Sequence, residues 1–228
     1  MLKILKYIEN LVIKYQNSKI LSSLSRKNIT TILDIGGHHG EFYYSAMKYK
    51  INFEKYFIFE PYTTSFNIIS QIKDQRLHPY QLAVGSEKKE MNLQVNKWDT
   101  SNSFSEVNEN NYKMKIKKIL LGTKSSSFVD VEKVKIQTLD NLFFNELKSI
   151  ELLKIDTEGF EYEVLLGAKK LLKNRTVKNI IIEFQDEDTY VNYSPLKIHE
   201  FLITNGFKLK EIYKIRFIGI EDRLYSLD

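Results

Sequence analysis

The chain has 228 residues, 43% of them hydrophobic, with 14 Tyr and 14 Phe; this is apolar surface enough for one substantial core and excludes an intrinsically disordered chain. Lys and Arg total 34 against 29 Asp and Glu, a net charge of +5, so the surface is of mixed sign rather than polybasic and no nucleic-acid partner is expected. The absence of cysteine excludes disulfides, a thiol nucleophile and thiolate-bound zinc, and fits a reducing, cytoplasmic setting.

Leu5, Ile8, Leu11, Val12 and Tyr15 recur at helical spacing among Lys3, Lys6, Glu9 and Lys14. The pattern predicts an amphipathic helix in an N-terminal flank, residues 1–29, that packs on the core as a lid or meets a second copy of the chain. Its lysines are few and broken by Glu9, which suits a membrane surface less well. The start MLKILKYIEN is too polar for a signal peptide, and no apolar run approaches the ~20 residues of a transmembrane segment.

From residue 30 to 228 the chain alternates. Strands are predicted at Thr31 to Ile35, Tyr56 to Glu60, Tyr80 to Val84, Leu152 to Asp156, Asn179 to Phe184 and Phe207 to Ile212. Helical patterns lie around Phe42 to Lys48, Ser65 to Ile72, Glu161 to Leu172 and Leu196 to Thr204. This order predicts an α/β domain, a mostly parallel sheet with helices on both faces. Arg216 to Leu227, near period two, is expected to return as an antiparallel edge strand. One stretch breaks the rhythm: between Gly85 and Leu139 two alternating runs, MNLQV and VEKVKI, flank a polar segment containing Trp98, Ser101 and Asn102. A loop this long is mobile or functional. Residues 96–127 are thus a candidate cover for a ligand, with Trp98 either covering it or packing.

Three strand ends carry acids: Asp34, Glu60 and Asp156. In an open α/β sheet the ligand lies outside the carboxyl ends of the strands. The stretch ILDIGGHHGEF breaks from a strand into a glycine turn at Gly36 and Gly37, with Gly40 where a helix begins. The backbone N–H groups of that helix start are expected to face a ligand. Glu60, closing the second strand before Pro61, suits two ribose hydroxyls, a device common to nicotinamide and S-adenosylmethionine sites. The loop separates them better. A dinucleotide fingerprint wants a glycine where Ile35 stands, and the pattern Asp-x-Gly-x-His-x-Gly puts a carboxylate where a pyrophosphate is repelled and a sulfonium or ammonium is welcome. Glu183 ends an apolar strand, and an acid there is costly unless it faces a cleft. His38 and His39 lack metal-ligand spacing, so no metal is expected.

The runs ILDIGGHHGEF, IFEPY, YQLAVGS, VKIQTLDNL, LLKIDTEGFEYEVLLGAKKLL and IIIEF together resemble the FkbM family of class I S-adenosylmethionine-dependent methyltransferases over about residues 30 to 210. KIDTEGFE followed by VLLGA is the most specific part. The resemblance implies a Rossmann-like seven-stranded sheet, S-adenosyl-L-methionine as cofactor, and methyl transfer to a hydroxyl of a sugar, glycoconjugate or other small molecule. It places Asp34, Gly36, Gly37, His38, Gly40, Glu60, Pro61, Ala83 and Asp156 on the cofactor, with Ala83 on the adenine side. Asp156, Glu158, Gly159 and Glu161 match its acidic motif. A hydroxyl acceptor needs a proton acceptor within reach. Asp156 is the best placed, with Glu183 and His38 behind it, and Glu158, Trp98, Ser101 and Asn102 are expected on the acceptor side. The alternatives are a nicotinamide-dependent oxidoreductase and a catalytically silent nucleotide-binding module.

Overall fold

A computed structural model of the chain describes residues 14–25, 27–96, 102–108, 111, 128–214 and 221–227. Helix α1 (residues 14–24) leads into β1 (Thr31–Ile35), α2 (Glu41–Lys48), β2 (Lys55–Phe59), α3 (Thr63–Ile69), β3 (Leu77–Tyr80), β4 (Ala83–Val84) and β5 (Lys89–Asn96). Then follow β6 (Phe128–Gln137), α4 (Leu139–Phe143), β7 (Leu152–Ile155), α5 (Glu161–Leu166), α6 (Lys169–Lys173), β8 (Asn179–Phe184), α7 (Pro195–Thr204), β9 (Lys208–Lys214) and β10 (Glu221–Ser226).

The runs TILDI and LLKI are buried at every position, the behaviour of central parallel strands covered on both faces. Seven strands form one sheet in the order β3-β2-β1-β7-β8-β10-β9. β1, β2, β3, β7 and β8 pair in parallel, and β10 runs antiparallel to both its neighbours. The antiparallel strand expected at the edge is therefore second from it, with β9 outermost. The crossover through α7 carries β9 past the position beside β8, and the returning chain fills the gap and pairs on both sides.

Alternate residues of each strand feed two cores. Leu33, Phe57, Leu153, Ile182 and Phe184 meet α4, α5, α6 and α7 on one face, while Ile32, Tyr56, Ile58, Leu152, Ile181 and Leu224 meet α1, α2 and α3 on the other. From α1 the buried contributors are Ile20, Leu21 and Leu24, whereas Tyr15 is 58% exposed. The earlier members of that predicted stripe, Leu5 to Val12, lie outside the described residues. No helix among the described residues is long and apolar enough to cross a membrane.

Two predicted elements divide. Tyr80 to Val84 splits into the end of β3 and the short β4, which leaves the main sheet to join a second one, β4-β6-β5, built from the two alternating runs. Glu161 to Leu172 breaks between α5 and α6 at Gly167, where a Cβ would come within 2.0 Å of the Gly85 carbonyl oxygen. Close backbone approach of the second sheet's connection, not helix propensity, decides that break.

Candidate active site

Strand order reverses between β1 and β7, which places a crevice at their carboxyl ends. The chain comes very close to itself there: Gly36 has φ +81°, and a Cβ on it would lie 1.8 Å from the Asp156 carbonyl oxygen. The loop then continues through His38 (φ 45°) to Gly40 (φ 84°), which starts α2.

The loop's donors are met by the protein's own acids. Glu60 accepts from His38 N–H through Oε2 and from Tyr62 N–H through Oε1, each at 2.9 Å. Glu41 Oε2 accepts from His39 N–H at 3.1 Å, and Glu41 Oε1 lies 2.9 Å from His38 Nδ1. Two backbone N–H groups of the loop ahead of the helix, those of His38 and His39, thus bind carboxylates of the protein itself. Burial pushes Glu60 up to about 7 against the N–H groups that hold it down. Burial also pushes Glu41 up, but the hydrogen bond and charge of His38 outweigh it and leave the carboxyl lowered. His38, the third candidate base, stacks on His39 with ring centroids 3.7 Å apart and pairs with Glu41.

Asp34 is enclosed at the end of β1. It is 0% exposed, its Oδ2 accepts from the Tyr56 hydroxyl at 2.6 Å, and its Oδ1 lies 3.3 Å from Lys154 Nζ. Its carboxylate is thus a buried counter-charge to Lys154, directly beneath the glycine loop. Lys154 donates also to Asp156 Oδ2 at 3.1 Å. Burial alone would lower Lys154; Asp156 and Asp34 outweigh it and hold the ammonium charged.

Asp156 and Glu183 are the next positions beyond the paired Ile155 and Ile182, and Glu183 in turn faces Asp222 on β10. Glu158 joins from the turn after β7, in a left-handed conformation (φ 53°) beside Gly159 (φ 96°). Carboxylate oxygens of Asp156, Glu158 and Glu183 come within 4.8 Å of one another. Glu158 Oε2 accepts from the Tyr190 hydroxyl at 2.5 Å, and Glu183 Oε2 accepts from the Gln185 amide at 2.7 Å. Burial, then the charges of Asp156, Glu158 and Asp222, push Glu183 well above the usual carboxylate range. The set has the oxygen donors of a hard-cation site, but the Lys154 ammonium already supplies positive charge to it. His38, His39 and Glu41 form a second compact group of potential ligand atoms.

Glu161 is 0% exposed and holds the turn together: its Oε1 accepts from Thr157 N–H, the Thr157 hydroxyl and Gly159 N–H, while Oε2 is buried without a partner. Of the acceptor-side residues, Asn102 caps its own segment, its Oδ1 accepting from Asn96 N–H at 2.8 Å; Trp98 and Ser101 lie outside the described residues. The neighbours Ser103 and Ser105, for which the sequence offers no individual role, donate to the carbonyls of Glu158 and Gly159 at 2.5 and 2.8 Å. Ala83 lies in an apolar cluster packed against Tyr62 and Phe160.

Residues 34–209 match the family described as the methyltransferase FkbM domain. The chain belongs to that family. Its members are S-adenosylmethionine-dependent methyltransferases, and the FkbM match runs from Asp34 in β1 into the start of β9. No curated protein matches the chain. Among solved structures, a methyltransferase FkbM from Methylobacillus flagellatus KT is similar at 12% identity and TM-score 0.54, with 87% of this chain and 44% of that one covered; the FkbM chain described here thus spans less than half of that protein. Magnesium protoporphyrin IX methyltransferase from Synechocystis PCC 6803, solved with bound SAM, is similar at 8% identity and TM-score 0.52, covering 96% and 83%. These likenesses concern the fold, a class I methyltransferase sheet.

The loop's chemistry fits S-adenosylmethionine. Each Glu60 oxygen carries one backbone hydrogen bond and keeps a lone pair for a ribose hydroxyl. The acids beside the loop favour a cationic methionine end over a pyrophosphate.

Proposed function

We propose that the chain is an O-methyltransferase acting on a hydroxyl of a sugar or glycoconjugate. The observation that carries this reading is the acidic group at the switch point, Asp156, Glu158 and Glu183 within 4.8 Å of one another, with Asp156 bonded to the ammonium of Lys154. Carboxyl groups accept hydrogen bonds from hydroxyls and repel anions, so this end supports a neutral, hydroxyl-rich acceptor over a phosphorylated or carboxylated one. On the cofactor side the reading uses Asp34, Gly36, Gly37, His38, Gly40, Glu60, Pro61, Ala83 and Asp156. Glu41, bonded to His38 and His39 of the loop, argues against the pyrophosphate of a nicotinamide dinucleotide. Residues 1–29 are read as a flank to a methyltransferase domain of residues 30–228.

Bound S-adenosylmethionine supplies a methyl already activated on a sulfonium, so the chain's own work is alignment, exclusion of water and acceptance of one proton. S-adenosylmethionine, which Glu60 and the Gly36–Gly40 loop would hold, would give up its methyl to the acceptor oxygen and keep the electron pair of the carbon–sulfur bond. Asp156 takes the acceptor proton on Oδ1, the oxygen that Lys154 does not bind. Glu183, whose carboxyl burial and its acidic neighbours push well above the usual carboxylate range, positions a second hydroxyl. The reaction is metal-independent in this reading, with Lys154 supplying the charge that a cation would bring.

Transfer of labelled methyl from S-adenosylmethionine to a panel of neutral, phosphorylated and carboxylated glycans tests the proposal. Turnover confined to the neutral acceptors and insensitive to EDTA is expected. Binding of S-adenosylhomocysteine without turnover on any hydroxyl acceptor would instead make the chain a binding module. Loss of activity to EDTA with recovery on adding magnesium would turn the acidic group into a metal site.

A further inference from the structure

Two residues beyond the family match, one on either side of it, meet beside the acidic group. Gln16, on α1 and 8% exposed, donates its side-chain amide to Asp222 Oδ2. Asp222, on β10, pairs with Glu183 on β8. Antiparallel partners point to the same face, so the Asp222 carboxyl stands beside that of Glu183, on the face that α1 covers. We propose that Asp222, clamped by Gln16, is a positioning residue of the active site that acts through Glu183, keeping that side chain in its protonated, hydrogen-bond-donating form. The inference rests on the acceptor-side reading of Glu183 above, and it makes α1 and β10 working parts of the site.

The groups around the pair agree on the direction. Asp156 and Glu158 at the carboxyl end of β7, Glu161 at the start of α5 and Asp222 on β10 all add negative charge against ionisation of Glu183. Asp222 itself is pushed up to about 7, by burial first and then by Asp156, with Lys154 and the Gln16 amide opposing. Tyr213, its partner on β9, brings a hydroxyl that is neutral at ordinary pH. Gln16 thus favours the ionised form of Asp222, and an ionised Asp222 keeps the proton on Glu183.

The test is a carboxyl-carbon NMR titration of protein labelled at Glu, with the Glu183 signal assigned by its loss in Glu183→Gln, run beside S-adenosylhomocysteine calorimetry. Asp222→Asn should lower the Glu183 midpoint by about one pH unit, the scale of one adjacent like charge. Gln16→Met, a milder change on the helix, should lower it less but in the same direction, and S-adenosylhomocysteine affinity should change less than about twofold in both. A purely structural role would lower the melting temperature and leave the Glu183 midpoint in place, and that result in a folded Gln16→Met or Asp222→Asn overturns the proposal. The titration needs no acceptor. Failure of all variants and the wild type to bind S-adenosylhomocysteine would therefore count against the methyltransferase reading alone.

Discussion

Lys154 and Asp34 face each other across neighbouring strands, register partners on β7 and β1 whose charged atoms lie 3.3 Å apart, with Asp34 0% exposed. The pair ties the cofactor loop to the acidic motif, because the same ammonium also binds Asp156. Lys154→Met would leave Asp34 buried without its counter-charge. Breaking such a pair by removing one partner costs about 3–5 kcal/mol, so the urea midpoint of the variant should fall sharply. A midpoint within error of wild type would show that the ammonium contributes nothing to the fold.

Gly36→Ala should be more damaging than Gly40→Ala. Both glycines have φ above +80°, where an L side chain costs about 1–2 kcal/mol. Only at Gly36 does the added Cβ also run into backbone, 1.8 Å from the Asp156 carbonyl oxygen; at Gly40 the nearest atom is 3.5 Å away. Calorimetry with S-adenosylhomocysteine should find binding abolished in the first variant and reduced in the second. Equal losses would mean that backbone conformation alone, not the approach of the loop to β7, governs the site.

The affinity for S-adenosylhomocysteine should rise with pH. Burial pushes Glu60 up to about 7, and its ionised form is the better acceptor for ribose hydroxyls. Between pH 6 and 8 the gain should approach about tenfold, the equivalent of one pKa unit of coupling. Glu60→Gln should bind more weakly at pH 8 and lose this dependence. A persistent slope in Glu60→Gln would move the titrating group elsewhere.

Stability without ligand should run the other way. Glu60, Glu161 and Asp222 are each raised to about 7, chiefly by burial, and Glu183 is raised too. In the unfolded chain these groups titrate near 4. Between those values the folded state holds more protons than the unfolded one, so their stabilising contribution is complete below about pH 4 and is lost as pH rises through about 7. Urea midpoints should therefore decline from pH 5 to 8. Glu161→Gln, which removes one of the buried acids, should flatten the decline, and an unchanged slope would exclude Glu161 as a contributor.

Asp156→Asn should retain S-adenosylhomocysteine binding and lower methyl transfer by roughly 10²- to 10⁴-fold, the usual cost of losing a general base. Glu183→Gln should raise KM for the acceptor more than it lowers kcat. Near-normal turnover in Asp156→Asn with loss in Glu183→Gln would exchange the two roles, and loss in His38→Ala alone would assign the base to the loop.

Much of the architecture was legible in residue order. β-branched and aromatic runs separated by helical periods predict a doubly wound sheet, and TILDI and NIIIEF mark their strands to the residue. The glycine loop, Glu60 and the acidic motif stand out because strand ends, turns and carboxylates are local signals. What local signals do not carry is which charges meet. Asp34 and Glu60 look alike in sequence, each an acid at a strand end. The fold turns Asp34 inward to Lys154 and Tyr56 and leaves Glu60 against the loop. Asn102, read as an acceptor contact, caps Asn96, while Ser103 and Ser105 hold the acidic turn. Asp222 joins Glu183 only because β10 enters between β8 and β9 instead of at the edge. Periodicity specifies which face a residue takes along its own strand; the charge opposite it depends on strand order and register, which the packing of the whole sheet decides.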